Sequence, residues 1–237
     1  MQEYLDILNE MPIFSNIDDE KILSILKARG SKIQSYEKDE YVWMAGERSN
    51  RIGIVLSGCV IVEKADFRGN RTIVAKVCEG DIFGETFSFM GLEKLPVNVI
   101  ATTNCEVLTV DGDMLINSSS FDAAVHNQII RNLLSIISKK NMALSSNLEH
   151  LSKRVTKEKI MSFLHEQSKI KNKKRFVISY NRQELADYLC VDRSALSKEL
   201  CKLKAQGVIK FRKNRFEILN QNNDQSSTDV NKIPQHY

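Results

Sequence analysis

The sequence predicts an α+β chain: an antiparallel β-roll of jelly-roll-like build, then one long helix, then a basic unit of short helices closed by a hairpin. Three observations predict it. Between about Lys32 and Asp111, short β-branched runs alternate with glycines. From about Ser118 onward, apolar residues recur at every seventh position. Charge is also divided unevenly: residues 152–219 carry 18 Lys+Arg against 7 Asp+Glu, residues 1–151 carry 15 against 21, and residues 220–237 carry 1 against 2. The whole-chain charge of +4 therefore conceals a strongly basic segment behind an acidic front, the footprint expected of a unit that meets nucleic acid.

With 237 residues, 42% of them hydrophobic, the chain can build one or two proper cores. No apolar run reaches the roughly 18–20 residues of a membrane span, and MQEYLDILNE lacks the order of a signal peptide. A soluble, cytoplasmic protein without a membrane partner is expected. The five cysteines (Cys59, Cys78, Cys105, Cys190 and Cys201) are scattered, with no CxxC pair, against a zinc ribbon or closely spaced iron–sulfur ligands. Each reads as a small buried hydrophobe; a redox disulfide would need geometric support.

In chain order, residues 5–28 are expected to be helical in two pieces around Met11-Pro12, with Asn16 or Asp18 capping the second and Ile22, Ile25 and Leu26 on one side. The strand-like runs are Tyr41–Trp43, Ile52–Leu56, Val60–Glu63, Thr72–Val77, Val97–Thr102 and Val107–Val110. Strands this short, at about 8–12-residue spacing, fit a sandwich or barrel, and FRGNRT (67–72) fits a hairpin turn.

In the long helix, Ile130, Ile137, Leu144 and Leu151 repeat at intervals of seven, with Leu133, Leu134 and Leu148 beside them and Asn141 and Asn147 interrupting. Such a heptad pattern favours pairing with a second helix, here a parallel homodimer, while Ile129 and Ile136 supply a flank for the chain's own β-roll.

A helix over Thr156–Lys169, a basic loop at 170–175 and a short strand at 176–179 lead into SYNRQELADYLCVDRSALSKELCKLKAQGVI (179–209). Asn181 can cap a first helix carrying Leu185, Ala186 and Leu189 on one face. Cys190-Val191-Asp192 is the turn, Asp192 a candidate cap, and Gly207 the stop of a second helix. That helix turns Leu196, Leu200 and Leu203 inward and Arg193, Ser194, Ser197 and Lys198 outward. A helix-turn-helix presents this end to base edges in the major groove of double-stranded DNA. The runs 208–211 and 215–219 around Arg212-Lys213-Asn214 form a wing, its basic tip directed at phosphates.

The words GIVLSGCVIV, CEGDIFGE and RQELADYLCVDRSALSKEL, in that order, resemble the cyclic AMP receptor protein / fumarate–nitrate regulator (Crp/Fnr) superfamily of bacterial transcriptional regulators over about residues 5–219. The resemblance implies a β-roll sensor domain over 1–117, a dimerisation helix over 118–152 and a winged helix-turn-helix over 153–219; the polar, apolar-poor run 220–237 is expected to be a disordered tail. It implies a small-molecule or chemical signal, a palindromic operator and RNA polymerase as a partner. By the same resemblance Arg193, Ser194, Ser197 and Lys198 face bases while Arg182 and Gln183 hold phosphates, and Lys213 at the basic wing tip is expected to join them there. Lys198 stands where an Arg is common and Ser194 where a Glu is common, so the preferred half-site should differ from that of other members.

The effector pocket is expected around Phe83, Gly84, Glu85, Leu95, Pro96 and Val97, with Asn141 and Ser145 of the dimer helix. Nucleotide-binding members carry an Arg-Ser or Arg-Thr pair for the cyclic phosphate where this chain reads Leu95-Pro96-Val97, with Lys94 a neighbour. A phosphate there would lack its charge partner, so cyclic AMP is disfavoured. An iron–sulfur cluster is disfavoured too, since residues 1–58 hold no cysteine. A cupin-type metal enzyme would need histidines in the strands, and His126, His150, His165 and His236 all lie outside them. No set of catalytic residues stands out, so a non-enzyme is expected. The competing expectation is a nucleic-acid binder of little sequence preference whose β-roll binds a cyclic nucleotide or stores a ligand.

Overall fold

The computed structural model describes residues 4–27, 31–48, 50–65, 71–116 and 122–219. The 67–72 turn, in part, and the 220–237 tail fall outside that set. The chain divides into two compact units, 1–148 and 149–237.

The first unit opens with α1 (Leu5–Glu10), a single 3₁₀ turn at Pro12–Phe14 and α2 (Asp19–Lys27). Proline at the start of the 3₁₀ turn separates the two helices, as the Met11-Pro12 pair predicts. The strands follow: β1 (Lys32–Tyr36), β2 (Tyr41–Trp43), β3 (Arg51–Ser57), β4 (Cys59–Ala65), β5 (Arg71–Cys78) and β6 (Ile82–Phe83). After α3 (Glu85–Phe89) come β7 (Asn98–Ala101), β8 (Cys105–Asp111) and α4 (Gly112–Ile116). They assemble into two antiparallel four-stranded sheets, β1-β8-β3-β6 and β2-β7-β4-β5.

The middle of the first sheet is buried on both faces, and β3 shows why. Ile52, Ile54 and Leu56 join the helices α1 and α2 in one apolar cluster, while Val55 faces Val60, Val77 and Val99 of the second sheet in another. Period-two alternation therefore reads as a continuous apolar run. Gly53 is the exception along that strand: a Cβ there would lie 2.2 Å from the Phe83 ring, so its absence makes room for the aromatic.

The helix α5 (Ala123–Ser152) is 30 residues long, about 45 Å at about 1.5 Å per residue. Val125, Ile129, Leu133 and Ile136 pack into the helix-side cluster of the roll. Buried Asn132 donates to the Ile13 and Ser15 carbonyls at 2.9 and 2.8 Å, fixing the helix to the 3₁₀ turn. Leu133, placed beside the dimer seam by the seven-residue pattern, instead belongs to the roll core.

The second unit holds α6 (Thr156–Ile170), β9 (Arg175–Val177), α7 (Arg182–Tyr188), α8 (Arg193–Ala205), β10 (Ile209–Arg212) and β11 (Arg215–Ile218), with sheet order β10-β11-β9. Its core joins Ile160, Phe163 and Leu164 to Leu185, Leu196, Leu200, Leu203, Ile209 and Phe216.

One expectation about the cysteines is overturned. Cys59 and Cys78 form a disulfide, and Cys190 and Cys201 are exposed; only Cys105 is a buried free thiol. The pairing joins positions 19 residues apart across a β hairpin, and Cys190 and Cys201 lie at a turn and on the exposed side of α8. Burial pushes the Cys105 thiol above its ordinary range, with Glu40 adding to the effect.

Candidate functional site

Two sites carry chemistry, one in each unit. In the second, α7 begins with a complete capping box: the Glu184 N–H donates to Asn181 Oδ1 and the Asn181 N–H to Glu184 Oε2, both at 2.9 Å. The helix ends in a Schellman motif, with Cys190 N–H donating to the Asp187 carbonyl and Val191 N–H to the Ala186 carbonyl. Cys190 takes the left-handed position, φ 50°, normally given to glycine. The helix α8 ends in the same way, with Gly207 at φ 69° and bonds from Gly207 and Val208 back to Lys204 and Leu203. Asp192 sits at the N-cap of α8 with extended backbone, but its side chain makes no cap hydrogen bond, contrary to its expected role.

These caps set the orientation of α8. Leu196, Leu200 and Leu203 are fully buried, which leaves Arg193, Ser194 and Lys198 exposed and Ser197 half-buried on the opposite face. Gln183 is exposed, its amide donating to Asp187 at 2.7 Å. Arg182 is anchored differently: its guanidinium lies 5.1 Å from the Phe211 ring centroid and 5.8 Å from that of Phe216, and it donates to the Lys213 carbonyl at 3.3 Å. Burial chiefly, with the charge of Arg193 adding and Cys201 opposing, pulls the Arg182 guanidinium below its ordinary range. Arg182 thus joins α7 to the wing tip, where Lys213 is exposed at φ 54°. On the outer wing face, Arg212, Arg215, Lys210 and Arg175 surround Val177 and Glu217 along an open groove of about 450 Å³.

His150, in the last turn of α5, is 3% exposed, with Nδ1 2.8 Å from Ser162 Oγ and Nε2 2.8 Å from Glu166. Serine, histidine and glutamate thus meet, which their sequence positions on two separate helices do not reveal. A ring so enclosed, edge-on to Phe163, fastens the last turn of α5 to α6 within the second unit. Among the described residues, no group of three or more His, Cys, Asp or Glu side chains gathers to hold a metal.

In the first unit, Gly84 sits at φ 84° at the start of α3, and a Cβ on it would lie 2.4 Å from the Trp43 indole. Trp43 in turn stacks, tilted, on Phe83 with centroids 4.6 Å apart. Phe83, Leu95 and Val97 are buried with Trp43 in one cluster, whereas Pro96 and Lys94 are exposed. Glu85 is 4% exposed; its Oε1 receives Lys140 Nζ at 2.8 Å, and Oε2 is buried without a hydrogen-bond partner. Lys140 also donates to the Ile82 carbonyl at 2.7 Å. The α5 residue that reaches this corner is therefore Lys140, while Asn141 and Ser145 are exposed. Lys140 follows Lys139 and carries no local signal that sets it apart; only the register of α5 on the roll reveals which of the two turns inward.

The comparisons agree with this geometry. Residues 33–117 match the family model "Cyclic nucleotide-binding domain" and residues 158–223 the model "Crp-like helix-turn-helix domain". The fold is similar to that of FixK2 from Bradyrhizobium japonicum (22% identity, covering 81% of this chain and 93% of that one, TM-score 0.63). It is similar also to the c-di-GMP responsive global regulator CLP of Xanthomonas campestris (21% identity, 86% and 100% covered, TM-score 0.67). TTHA1359, a CRP/FNR family transcriptional regulator from Thermus thermophilus, matches with 20% identity, 80% and 94% covered, and TM-score 0.59. No curated protein sequence gives a significant match, and no helix among the described residues is long and apolar enough to cross a membrane. With a cyclic-nucleotide-binding-type roll ahead of a Crp-like helix-turn-helix, the chain belongs to the Crp/Fnr family of DNA-binding transcriptional regulators.

Proposed function

We propose that the chain acts in the cytoplasm as a homodimer that reads a palindromic operator and answers to a small non-nucleotide molecule or redox signal. The observation that carries the reading is the division of α5 into two faces. Ile129 and Leu133 are spent on the roll, yet Leu134, Leu144 and Leu148 remain 60, 48 and 68% exposed, in line with half-buried Ile130, Ile137 and Leu151. An apolar line broken at Asn141, on a helix already packed on one side, asks for a second copy of itself. Exposed Asn141 within that line lowers the stability of the pairing and fixes its register.

In the dimer, Arg193, Ser194, Ser197 and Lys198 reach base edges, and Arg182, Gln183 and Lys213 hold phosphates. A phosphate near Arg182 also relieves its repulsion with Arg193. DNA placed in this way brings RNA polymerase within reach as a partner. In the roll, Lys140 already neutralises Glu85, and the neighbouring Leu95 and Val97 offer nothing to a cyclic phosphate. The effector therefore works by altering the Glu85–Lys140 contact, and calorimetry with cyclic AMP and cyclic GMP should show no tight binding.

The test of the reading face is Arg193→Ala with Lys198→Ala. Operator discrimination should fall by 10-fold or more, at about 1–3 kcal/mol per base contact, with the melting temperature unchanged. Equal affinity for random and selected duplexes in the wild type would favour the non-specific alternative.

A further inference from the structure

Cys59 opens β4 and Cys78 closes β5, directly opposite each other in the antiparallel register. The Glu79 N–H donates to the Gly58 carbonyl, and the Cys59 N–H turns away to Thr103 Oγ1. That pattern marks a non-hydrogen-bonded pair, the position at which antiparallel strands come closest. The two Cα atoms are 4.1 Å apart and the sulfurs are joined. Both residues are half-buried, so a small reagent can reach them.

The other thiols do not compete for the pairing. Cys105 is buried and held protonated, and Cys190 and Cys201 belong to the other compact unit. A regulator that binds the genome works where thiols are kept reduced, and disulfides in such compartments are transient and redox-sensing rather than permanent. The position along the chain matters as much. Residues 79–85 run straight from Cys78, pinned by Gly80 N–H to the Val55 carbonyl and Val55 N–H to the Asp81 carbonyl, each at 3.0 Å. They end on the Ile82 carbonyl and the Glu85 carboxylate, the two acceptors of Lys140.

We propose that Cys59 and Cys78 form a reversible thiol–disulfide site that exchanges with low-molecular-weight disulfides and dithiols, and that its state sets the order of residues 79–85. In oxidation, one cysteine thiolate attacks a sulfur of the small disulfide, forming a mixed disulfide and expelling one thiolate. The second cysteine thiolate then attacks the protein sulfur, closing the Cys59–Cys78 bond and expelling the other thiolate. The protein loses two electrons and two protons, and the small disulfide becomes two thiols. A dithiol drives the reverse. The consequence for Lys140 rests on the effector reading above, whereas the sulfur chemistry does not.

The test equilibrates the full chain in mixtures of oxidised and reduced glutathione, traps free thiols with a maleimide, and maps them by peptide mass. The Cys59–Cys78 bond should follow the glutathione ratio in both directions. Amide exchange over Gly80–Glu85 should be about tenfold slower in the oxidised form. Cys59→Ser with Cys78→Ser, and separately the reduced wild type, should both exchange at the fast rate. Failure of the bond to form at any ratio, or its survival in excess dithiothreitol in the native protein, would overturn the site. Equal exchange in the oxidised and reduced forms would overturn its control of the segment.

Discussion

The ammonium of Lys140 lies 2.8 Å from the Glu85 carboxylate and 2.7 Å from the Ile82 carbonyl, so a single side chain of the long helix holds both ends of the β6–α3 corner. Glu85 is 5% exposed at its side chain and Lys140 34%, which makes this a largely buried ion pair.

Lys140→Ala should therefore destabilise the first unit by roughly 2–3 kcal/mol, at or below the lower end for breaking a buried pair, because the carboxylate is left without its charge partner. The chain has one tryptophan, Trp43, and it lies against Gly84 in this unit. Denaturant unfolding followed by its fluorescence reads the effect directly. Lys139→Ala, one residue away and exposed, should stay within about 0.5 kcal/mol of wild type.

The two helix ends of the reading unit make opposite predictions from one geometry. Cys190 occupies a left-handed position that costs a side-chain-bearing residue about 1–2 kcal/mol, and Gly207 fills the equivalent position without that cost. Cys190→Gly should stabilise the second unit by roughly 0.5–1 kcal/mol after the larger entropy of glycine is counted. Gly207→Ala should destabilise it by about 1 kcal/mol, although a Cβ there meets nothing within 4 Å. Thermal melts of the two variants decide both.

A pH dependence follows from the Tyr180–Tyr188 stack, with centroids 4.8 Å apart. Burial, with the charge of Glu166 adding, pushes the Tyr188 phenol up to about 12, and burial raises Tyr180 further still. Both phenols keep their protons in the folded unit at a pH where the unfolded chain has lost them. The stability they contribute is complete below the ordinary tyrosine value of 10.0 and is lost as pH rises toward 12. Denaturation at increasing pH across this range should show the second unit weakening, and Tyr188→Phe should flatten the trend.

Leu134→Glu with Leu148→Glu should leave the single chain folded, because both side chains are already exposed on it. Sedimentation should nevertheless show the dimer mass halved, and operator affinity reduced by about a hundredfold or more as the two half-sites are no longer joined.

Much of this was legible in the residues. Asn181 and Gly207 announce the start of α7 and the end of α8 because caps are local chemistry. The β-branched runs announce six strands for the same reason. The strand β1, KIQSY, was less legible because its polar residues face outward, and β6 because it has only two residues. The Glu85–Lys140 pair, the His150 contacts and the Cys59–Cys78 bond were not legible at all. Each joins residues that a tertiary register brings together, and nothing local to either partner encodes the other.

The most direct measurement of the central claim is selection of duplexes from a random pool by the full-length protein at about 0.15 M salt. The account predicts enrichment of an inverted repeat whose half-sites lie one helical turn apart, about 34 Å, and loss of that enrichment with Arg193→Ala and Lys198→Ala. Retention of random sequence, or a selected site without two-fold symmetry, would contradict it.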